Sequence, residues 1–450
     1  MPFLKVRCCT WNVGDQGPPK DDLKTLLSLN NSDLPDIIAV ALQELEEAED
    51  WRKRLLEHTH PAGYVLVKSR YCWAIGMLVF ARRNLLPAIT NTESEVTASG
   101  YAGIMGNKGG VTHEDRNKDR VNDYKDIVDN QSFRDDDVHS VLDHDYVFWM
   151  GDLNFRLENT DKATAEKLIR QKQYSTLLAR DQLLVNKKKK LIFEDFQEGE
   201  INFAPTFKFD KGTDRYDSSA KQRIPAWTDR ILYMAHRDFA TDFYSSVIRH
   251  TRIQSTSRYT PIRGAPSDVD QNSQASDKIG SIGSQQPEIK LLEYTSLTNY
   301  KWSDHRPVVG SFQIVVPQKW FSLPISFLEP LGKVPKLEFT ILPGQSETAS
   351  DPSAPAVLEQ DIGDWIGVYP ADFASLEKGY VTYVKAPSEN LCITRDVYAA
   401  ATKQPIAPTF GGKILARYLS QLRNHSVQLV YWSKRKNCPQ GYSPIFKLKG

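Results

Sequence analysis

Three short stretches carry residue types suited to cleaving phosphoesters: Gly151-Asp152-Leu153-Asn154, Pro225-Ala226-Trp227-Thr228-Asp229-Arg230 and Ser303-Asp304-His305-Arg306-Pro307-Val308. Apolar strand-like runs adjoin them, Tyr146 to Met150 before the first and Ile231 to Met234 after the second. One sheet edge is therefore expected to gather Asp152, Asn154, Asp229, Asp304 and His305 at a single mouth. Hydrolysing a phosphate monoester needs a group that orients water, donors or positive charge for the equatorial oxygens, and hard oxygen ligands for a cation such as Mg²⁺. Asp229 beside His305 would fix one imidazole tautomer and favour the charged ring, which suits a phosphate oxygen. Two upstream runs, Cys8-Cys9-Thr10-Trp11-Asn12 and Ile37 to Glu44, each end a buried-strand pattern in a polar residue. Glu44 is the natural cation ligand, with Asn12 beside it.

The elements that must position these residues are legible as alternating patterns up to about Val316. Asp21 to Leu29 and Ala163 to Leu178 have helical spacing, whereas Tyr64 to Lys68 and Ala74 to Phe80 read as strands. The 450 residues are too many for one ordinary core and suggest two domains. A net charge of +1 argues against a nucleic-acid binder, so local basic residues must attract any anionic substrate. The run Lys187-Lys188-Lys189-Lys190 reads as a solvated loop. Five cysteines form no disulfide framework, and Cys8-Cys9 lie in a buried strand, as expected of a reducing compartment. The first residues carry no signal-peptide pattern and no run approaches the ~18 apolar residues of a membrane span, so a soluble protein with peripheral membrane contact is expected.

Ser255 to Gln286 is rich in Ser, Gln, Asp, Gly and Pro and is expected to be a disordered insertion before the strand that leads to His305. After Val316 the character becomes all-β. Asp364 to Tyr369, Gly379 to Val384 and Ser426 to Trp432 have the period-two pattern of half-buried antiparallel strands, which predicts a β-sandwich that folds on its own.

Taken in order, Thr10-Trp11-Asn12-Val13-Gly14, Leu42-Gln43-Glu44, Gly106-Asn107-Lys108-Gly109-Gly110-Val111, Gly151 to Arg156, Pro205-Thr206-Phe207-Lys208-Phe209-Asp210, Pro225 to Arg230 and Ser303 to Val308 resemble the motifs of the inositol polyphosphate 5-phosphatases. Seven ordered motifs over about 300 residues are far more specific than any single one. The resemblance implies an α/β fold, a DNase I-like four-layer α/β sandwich over residues 1–316, followed by an all-β, immunoglobulin-like SKICH sandwich over residues 317–450. It implies Mg²⁺ held by Glu44 with Asn12, water oriented by Asp152, the nucleophile and phosphate positioned by Asn154, and the scissile phosphate contacted by His305 with Asp229 behind it. Asp304 would sit near the metal. Lys208, Lys221 and Arg223 match the positions that read a neighbouring phosphate, and Asn107 and Lys108 would also contact substrate. Phe207 stands where the family usually has tyrosine, which removes one hydroxyl donor worth roughly 0.5–1.5 kcal/mol. The pairing of domains is similar to the skeletal muscle and kidney enriched branch. That branch implies phosphoinositide head groups as substrates, protein partners through the SKICH-like domain, no nucleic acid, and a cytoplasmic location with peripheral attachment to the endoplasmic reticulum or plasma membrane ruffles.

One departure is large. Val111 is followed at once by Thr112-His113-Glu114, which matches the helix beyond the family's next strand, so about two strands and a turn, roughly 15–25 residues, are expected to be missing after Val111. Two other functional classes follow from the same residues: a catalytically impaired member that works as a membrane- or partner-binding module, and a nuclease of the DNase I-like superfamily, disfavoured by the near-neutral charge.

Overall fold

The computed structural model describes residues 3–30, 32–97, 116–133, 140–236, 289–316, 363–385 and 425–447, and the backbone of short strands between 325 and 413. Asn107, Lys108, the Val111–His113 junction and the insertion at 255–286 lie outside the described residues.

The N-terminal part is built on a six-stranded sheet in the order β3-β4-β2-β1-β9-β8. Its strands are β1 (Phe3–Asn12), β2 (Ile37–Gln43), β3 (Tyr64–Cys72), β4 (Ile75–Arg82), β8 (Lys290–Ser296) and β9 (Val308–Val315). A second sheet has the order β5-β7-β6, with β5 (Tyr146–Asp152), β6 (Gln197–Glu198) and β7 (Asp229–Ala235). Alternation along β1 decides the layering. Cys9 and Trp11 point to an outer core with Leu26, Leu27, Trp51 and Leu55, whereas Val6 and Cys8 point inward to Trp227, Ile231 and Tyr233. The outer helices are α1 (Lys24–Leu27) and α2 (Ala48–Thr59). On the far side, Val147, Leu232 and Met234 of the small sheet pack on Val121 of α3 (Arg116–Asn130) and Leu183 of α6 (Gln182–Lys188). Helix, sheet, sheet and helix thus stack as the four layers expected of a DNase I-like fold.

Several elements differ from the sequence pattern. The helical stretch at Asp21 to Leu29 shrinks to α1, which ends where Ser28 adopts φ +56. Ala163 to Leu178 splits into α4 (Lys162–Arg170) and α5 (Tyr174–Leu178), separated by Lys172 at φ +54. Only half of the lysine run is loop: Lys187 and Lys188 close α6, where cations complement the helix carbonyl end, while Lys189 and Lys190 form an exposed turn after it, with Lys190 paired to Glu194 at 2.5 Å. Asp181 caps the start of α6 by accepting from Leu184 N at 3.0 Å.

The same Asp181 is fully buried and pairs with Arg230 at 3.0 Å, and Glu198 grips that guanidinium at 2.7 and 2.6 Å. Tyr294 donates to Glu198 at 2.9 Å, so one buried charge network ties α6, β6, β7 and β8 directly behind Asp229. Removing one partner of such a network strands the other charge, typically at 3–5 kcal/mol.

The C-terminal part contains a five-stranded sheet that includes Trp365–Pro370, Thr382–Lys385, Ser426–Ser433 and Cys438–Tyr442. It is not self-contained. Val65, Val67, Ala81 and Leu86 share one core with Tyr369, Phe373, Leu376, Val430 and Trp432. Leu66 N donates to Ala374 O and Leu376 N to Leu66 O, both at 2.9 Å, so residues 374–376 extend the edge of β3. Arg83 lies 4.6 Å from the Phe373 ring, His60 donates to Asp372 O at 2.6 Å, and Lys68 pairs with Glu377 at 2.9 Å. Period-two alternation reveals strands but not which edge they meet, so this docking was invisible in the pattern. Phe373→Ala, at a site 4% exposed, is expected to cost about 3–5 kcal/mol. Because the core is shared, calorimetry should show the unfolding of the β1–β9 sheet shifting with it. A shift confined to a separate C-terminal transition would contradict the shared core.

Candidate active site

The two sheets meet with the C-terminal ends of β1, β2 and β5 at one mouth. β1 and β2 run parallel with Asn12 opposite Gln43, and β5 and β7 pair antiparallel with Asp152 opposite Asp229. The mouth is therefore assembled from facing ends of two sheets rather than from the single sheet edge that the sequence suggested. Asn12 spans the gap: its amide nitrogen donates to Glu44 at 3.1 Å and to Asp152 at 2.9 Å, and its oxygen accepts from Gly14 N at 3.0 Å. In this orientation Asn12 is a brace for two carboxylates, with its oxygen already engaged. Glu44 leaves β2 at φ +50 and Asn154 leaves β5 at φ +58, both strained positions of the kind that gather at functional sites.

Asp229 is fully buried and receives three donors on one oxygen, Oδ2: Thr206 at 2.7 Å, Thr228 at 2.9 Å and His305 Nδ1 at 2.9 Å. Its other oxygen is buried with no hydrogen-bond partner among the described residues. His305 is 3% exposed, its carbonyl held by the Trp11 indole at 3.3 Å and its ring 4.7 Å from Phe207. Burial alone would favour the neutral imidazole, but Asp229, with Asp152 and Asp304 beyond it, raises the pKa to about 9. Burial also raises Asp152 and Glu44, and neighbouring carboxylates add to both shifts. Asp304 resists burial and falls below the ordinary carboxylate range, because His305 and the Lys208 ammonium at 2.6 Å favour its charged form. Asp152 is fixed at both oxygens, by Asn12 and by the Asn154 backbone N–H at 2.9 Å.

Asp152, Asp229 and His305 lie close enough together to make a candidate acidic metal site, their ligand atoms all within 4.8 Å. His305 is a poor member of it, since its Nδ1 donates to Asp229 and a charged imidazole has no free lone pair. The chemistry of the remaining donors suits a hard cation: Asp152 and Asp304 lie near Glu44 and disfavour its charged form, and one Asp229 oxygen has no hydrogen-bond partner among the described residues.

The structure brings Asn12, Glu44, Asp152, Asn154, Lys208, Asp229, Asp304 and His305 together. Lys221 is exposed on the loop whose Asp217 N–H donates to Lys208 O, and Arg223 N–H donates to Asp217 at 2.8 Å, so both lie on the loop beside Lys208. Residues to which the sequence reading gave no role also matter. Arg156 donates to Asn154 at 2.6 Å and stacks 4.1 Å from Phe207, which is thus wedged between a guanidinium and His305. Phenylalanine at this position therefore serves as a packing face for His305. Lys211 donates to Gly14 O at 2.8 Å, and a Cβ on Gly14 would lie 2.8 Å from Asp304. The contiguity of Arg156 with Gly151-Asp152-Leu153-Asn154 was its only sequence signal; Lys211 had none.

The chain is similar to known proteins in sequence and in fold. The Endonuclease/Exonuclease/phosphatase family 2 model matches in two pieces, residues 9–114 and 112–311. Inositol polyphosphate 5-phosphatase K of Mus musculus is 31% identical over 85% of this chain and 79% of its own. The chain belongs to the inositol polyphosphate 5-phosphatase family. Phosphatidylinositol 4,5-bisphosphate 5-phosphatase A of Rattus norvegicus is 30% identical over 95% of the chain, which spans only 41% of that relative. The 5-phosphatase domain of SpSynaptojanin, solved with inositol (1,4)-bisphosphate and calcium, superposes with a TM-score of 0.53 at 25% identity over 69% of this chain and 84% of its own. That likeness supports the DNase I-like α/β architecture.

The His305–Asp229 pair is expected to make a pH-dependent contribution to the stability of this chain. His305 has a folded pKa raised from 6.5 to about 9, so its contribution is full below 6.5 and fades as pH rises through about 9. His305→Gln should lower the melting temperature more at about pH 6 than at about pH 10. An equal loss at both would show that the ring is neutral in the folded state.

Proposed function

We propose that this chain hydrolyses the 5-phosphate of phosphoinositide head groups, chiefly phosphatidylinositol 4,5-bisphosphate and secondarily the 3,4,5-trisphosphate. The observation that carries the reading is the buried Asp229–His305 pair facing Asp152 and Glu44 across the sheet ends. Asp152, fixed at both oxygens, orients the attacking water. His305, with Nδ1 spent on Asp229, keeps its Nε2 proton for a phosphate oxygen. Asn154, braced by Arg156, positions the nucleophile, and Lys208 with Lys221 and Arg223 meets the neighbouring phosphate. Glu44, with Asp304 and Asp152 near it, would hold Mg²⁺, which when bound supplies charge neutralisation at the developing oxyanion. Residues 1–316 are the catalytic domain and residues 317–450 a SKICH-like, immunoglobulin-like module for protein partners, in a cytoplasmic protein that contacts membranes peripherally.

Malachite-green phosphate release from phosphatidylinositol 4,5-bisphosphate tests the activity, with plasmid nicking as the nuclease control. His305→Ala is expected to lower turnover by roughly 10²–10³, as loss of one oxyanion donor does. Unchanged turnover would overturn the assignment.

A catalytically impaired form is the second reading, and two observations favour it. The family match breaks into two pieces that meet at residues 112–114, and β5 has a strand partner on one edge only among the described residues. Both support a chain that lacks about two strands beside β5. Inserting the corresponding family segment after Val111 should raise turnover at least ~10²-fold, because misplacing reacting groups by about 1 Å has that cost. Equal rates would mean that nothing needed for catalysis is missing.

A further inference from the structure

The loop at 205–223 folds back on itself and carries the basic residues assigned above to the neighbouring phosphate. Asp210 N donates to Arg215 O at 2.8 Å, Asp217 N to Lys208 O at 2.9 Å, and Arg223 N to the Asp217 carboxylate at 2.8 Å. The places of Lys208, Lys221 and Arg223 are therefore set by whatever fixes this loop. It is fixed to the turn that carries His305: Arg306 N donates to Thr206 O at 3.0 Å and Phe209 N to Asp304 O at 2.8 Å. The Arg306 side chain fastens the same two segments. It is 1% exposed, and its guanidinium donates to Ser303 O at 3.2 Å and to Thr213 O. The same group lies 3.9 Å from the centre of the Phe209 ring, which stacks on Tyr216 at 4.4 Å, and Tyr216 donates to Pro205 O at 2.8 Å. Asp214 approaches Arg306 only to 3.7 Å and is itself 67% exposed, and the Arg306 Nε has no partner among the described residues. Such a pairing offsets little of the cost of burying a cation. What arginine supplies here is a flat fork that reaches two segments at once and stacks on a ring, which lysine does not reproduce.

We propose that Arg306 is a positioning residue for substrate selection: through Phe209 and Thr213 it holds the Lys208 loop at a fixed distance from His305, and so couples recognition of the phosphate beside the scissile one to the reacting centre. The proposal rests on the head-group reading given above. Arg306 is closed to solvent and acts through the loop rather than on the substrate. Lys208 immediately precedes Phe209, so a tilt of that ring swings the ammonium that lies 2.6 Å from Asp304. Displacements of about 1 Å are enough to lose most of the benefit of a placed group. An arginine that merely glued the domain together would weaken every substrate alike. One that sets the Lys208 loop weakens only those that carry the neighbouring phosphate.

The test compares, on the full chain, dioctanoyl phosphatidylinositol 4,5-bisphosphate with dioctanoyl phosphatidylinositol 5-phosphate, which differ only in the neighbouring phosphate. Phosphate release gives KM and kcat, and calorimetry with metal chelated gives Kd without turnover. Arg306→Lys should raise KM and Kd for the bisphosphate roughly five- to tenfold, leave those for the monophosphate within about twofold, and keep kcat on the bisphosphate within about threefold. Lys208→Ala should lower the preference for the bisphosphate about tenfold or more, as loss of a charged hydrogen bond does. The double variant should lose less than the product of the two single effects, because both act through one contact. Phe209→Leu keeps the guanidinium and both of its carbonyl contacts and should shift the preference in the same direction by about two- to threefold; it carries the test if Arg306→Lys fails to fold. Equal losses on the two head groups, or losses that multiply fully in the double variant, overturn the role of Arg306. A Lys208→Ala chain with the wild-type preference overturns the reading of Lys208 itself, and the coupling with it. The affinity ratios decide both points even in a chain without turnover.

Discussion

Asp229 is a carboxylate held wholly out of water, and much of the N-terminal architecture can be understood as what that burial demands. An isolated buried carboxylate would take up a proton, so it needs donors and a countercharge at fixed positions. Two threonines and His305 supply them on one oxygen, and each comes from a different stretch of chain. Thr206 lies in the loop before Lys208, Thr228 leads into β7, and His305 precedes β9. The pair exists only where the small sheet lies against the large one. Trp11, in the outer core with Trp51, holds the His305 backbone from the other side.

That constraint propagates backwards through Arg230. Its guanidinium, one residue along β7 and pointing to the opposite face, is clamped by Asp181 and Glu198, and Tyr294 of β8 completes the cluster. Alternation on a strand thus places the carboxylate that holds His305 on one face and its structural anchor on the other. A buried network of this kind fixes a unique register for β7, because a slip of one residue would put Arg230 where Asp229 must be.

The C-terminal sheet bears on the site by a different route. Its contacts include β3, His60, the end of β4 with Arg83, and Ile89 to Thr92, where Cys438 and Gln440 reach across at 3.1 and 2.8 Å. The β3–β4 hairpin is therefore anchored at its base by the second module and joined at its tip to the Glu44 turn. One small ribbon thus links the docking of the second module to the Glu44 turn at the mouth.

The sequence by itself determined the chemistry: acidic, amide and imidazole residues at the ends of apolar runs, in an order dense enough to show the family and to name Glu44, Asp152, Asp229 and His305. It determined the strands too, since β1, β2, β5 and β7 carry their apolar pattern locally. What it did not contain is anything that depends on which surfaces meet. The mouth between two sheets, Asn12 as a brace for two carboxylates, Phe207 wedged between Arg156 and His305, and the docking of residues 374–376 on β3 all join residues far apart in the chain. The helix ends were lost for a related reason: Ser28 and Lys172 stop helices by adopting left-handed backbone that no residue type there signals. Local pattern follows from each segment's own burial, whereas partners and orientations follow from packing among segments, and only the folded chain fixes those.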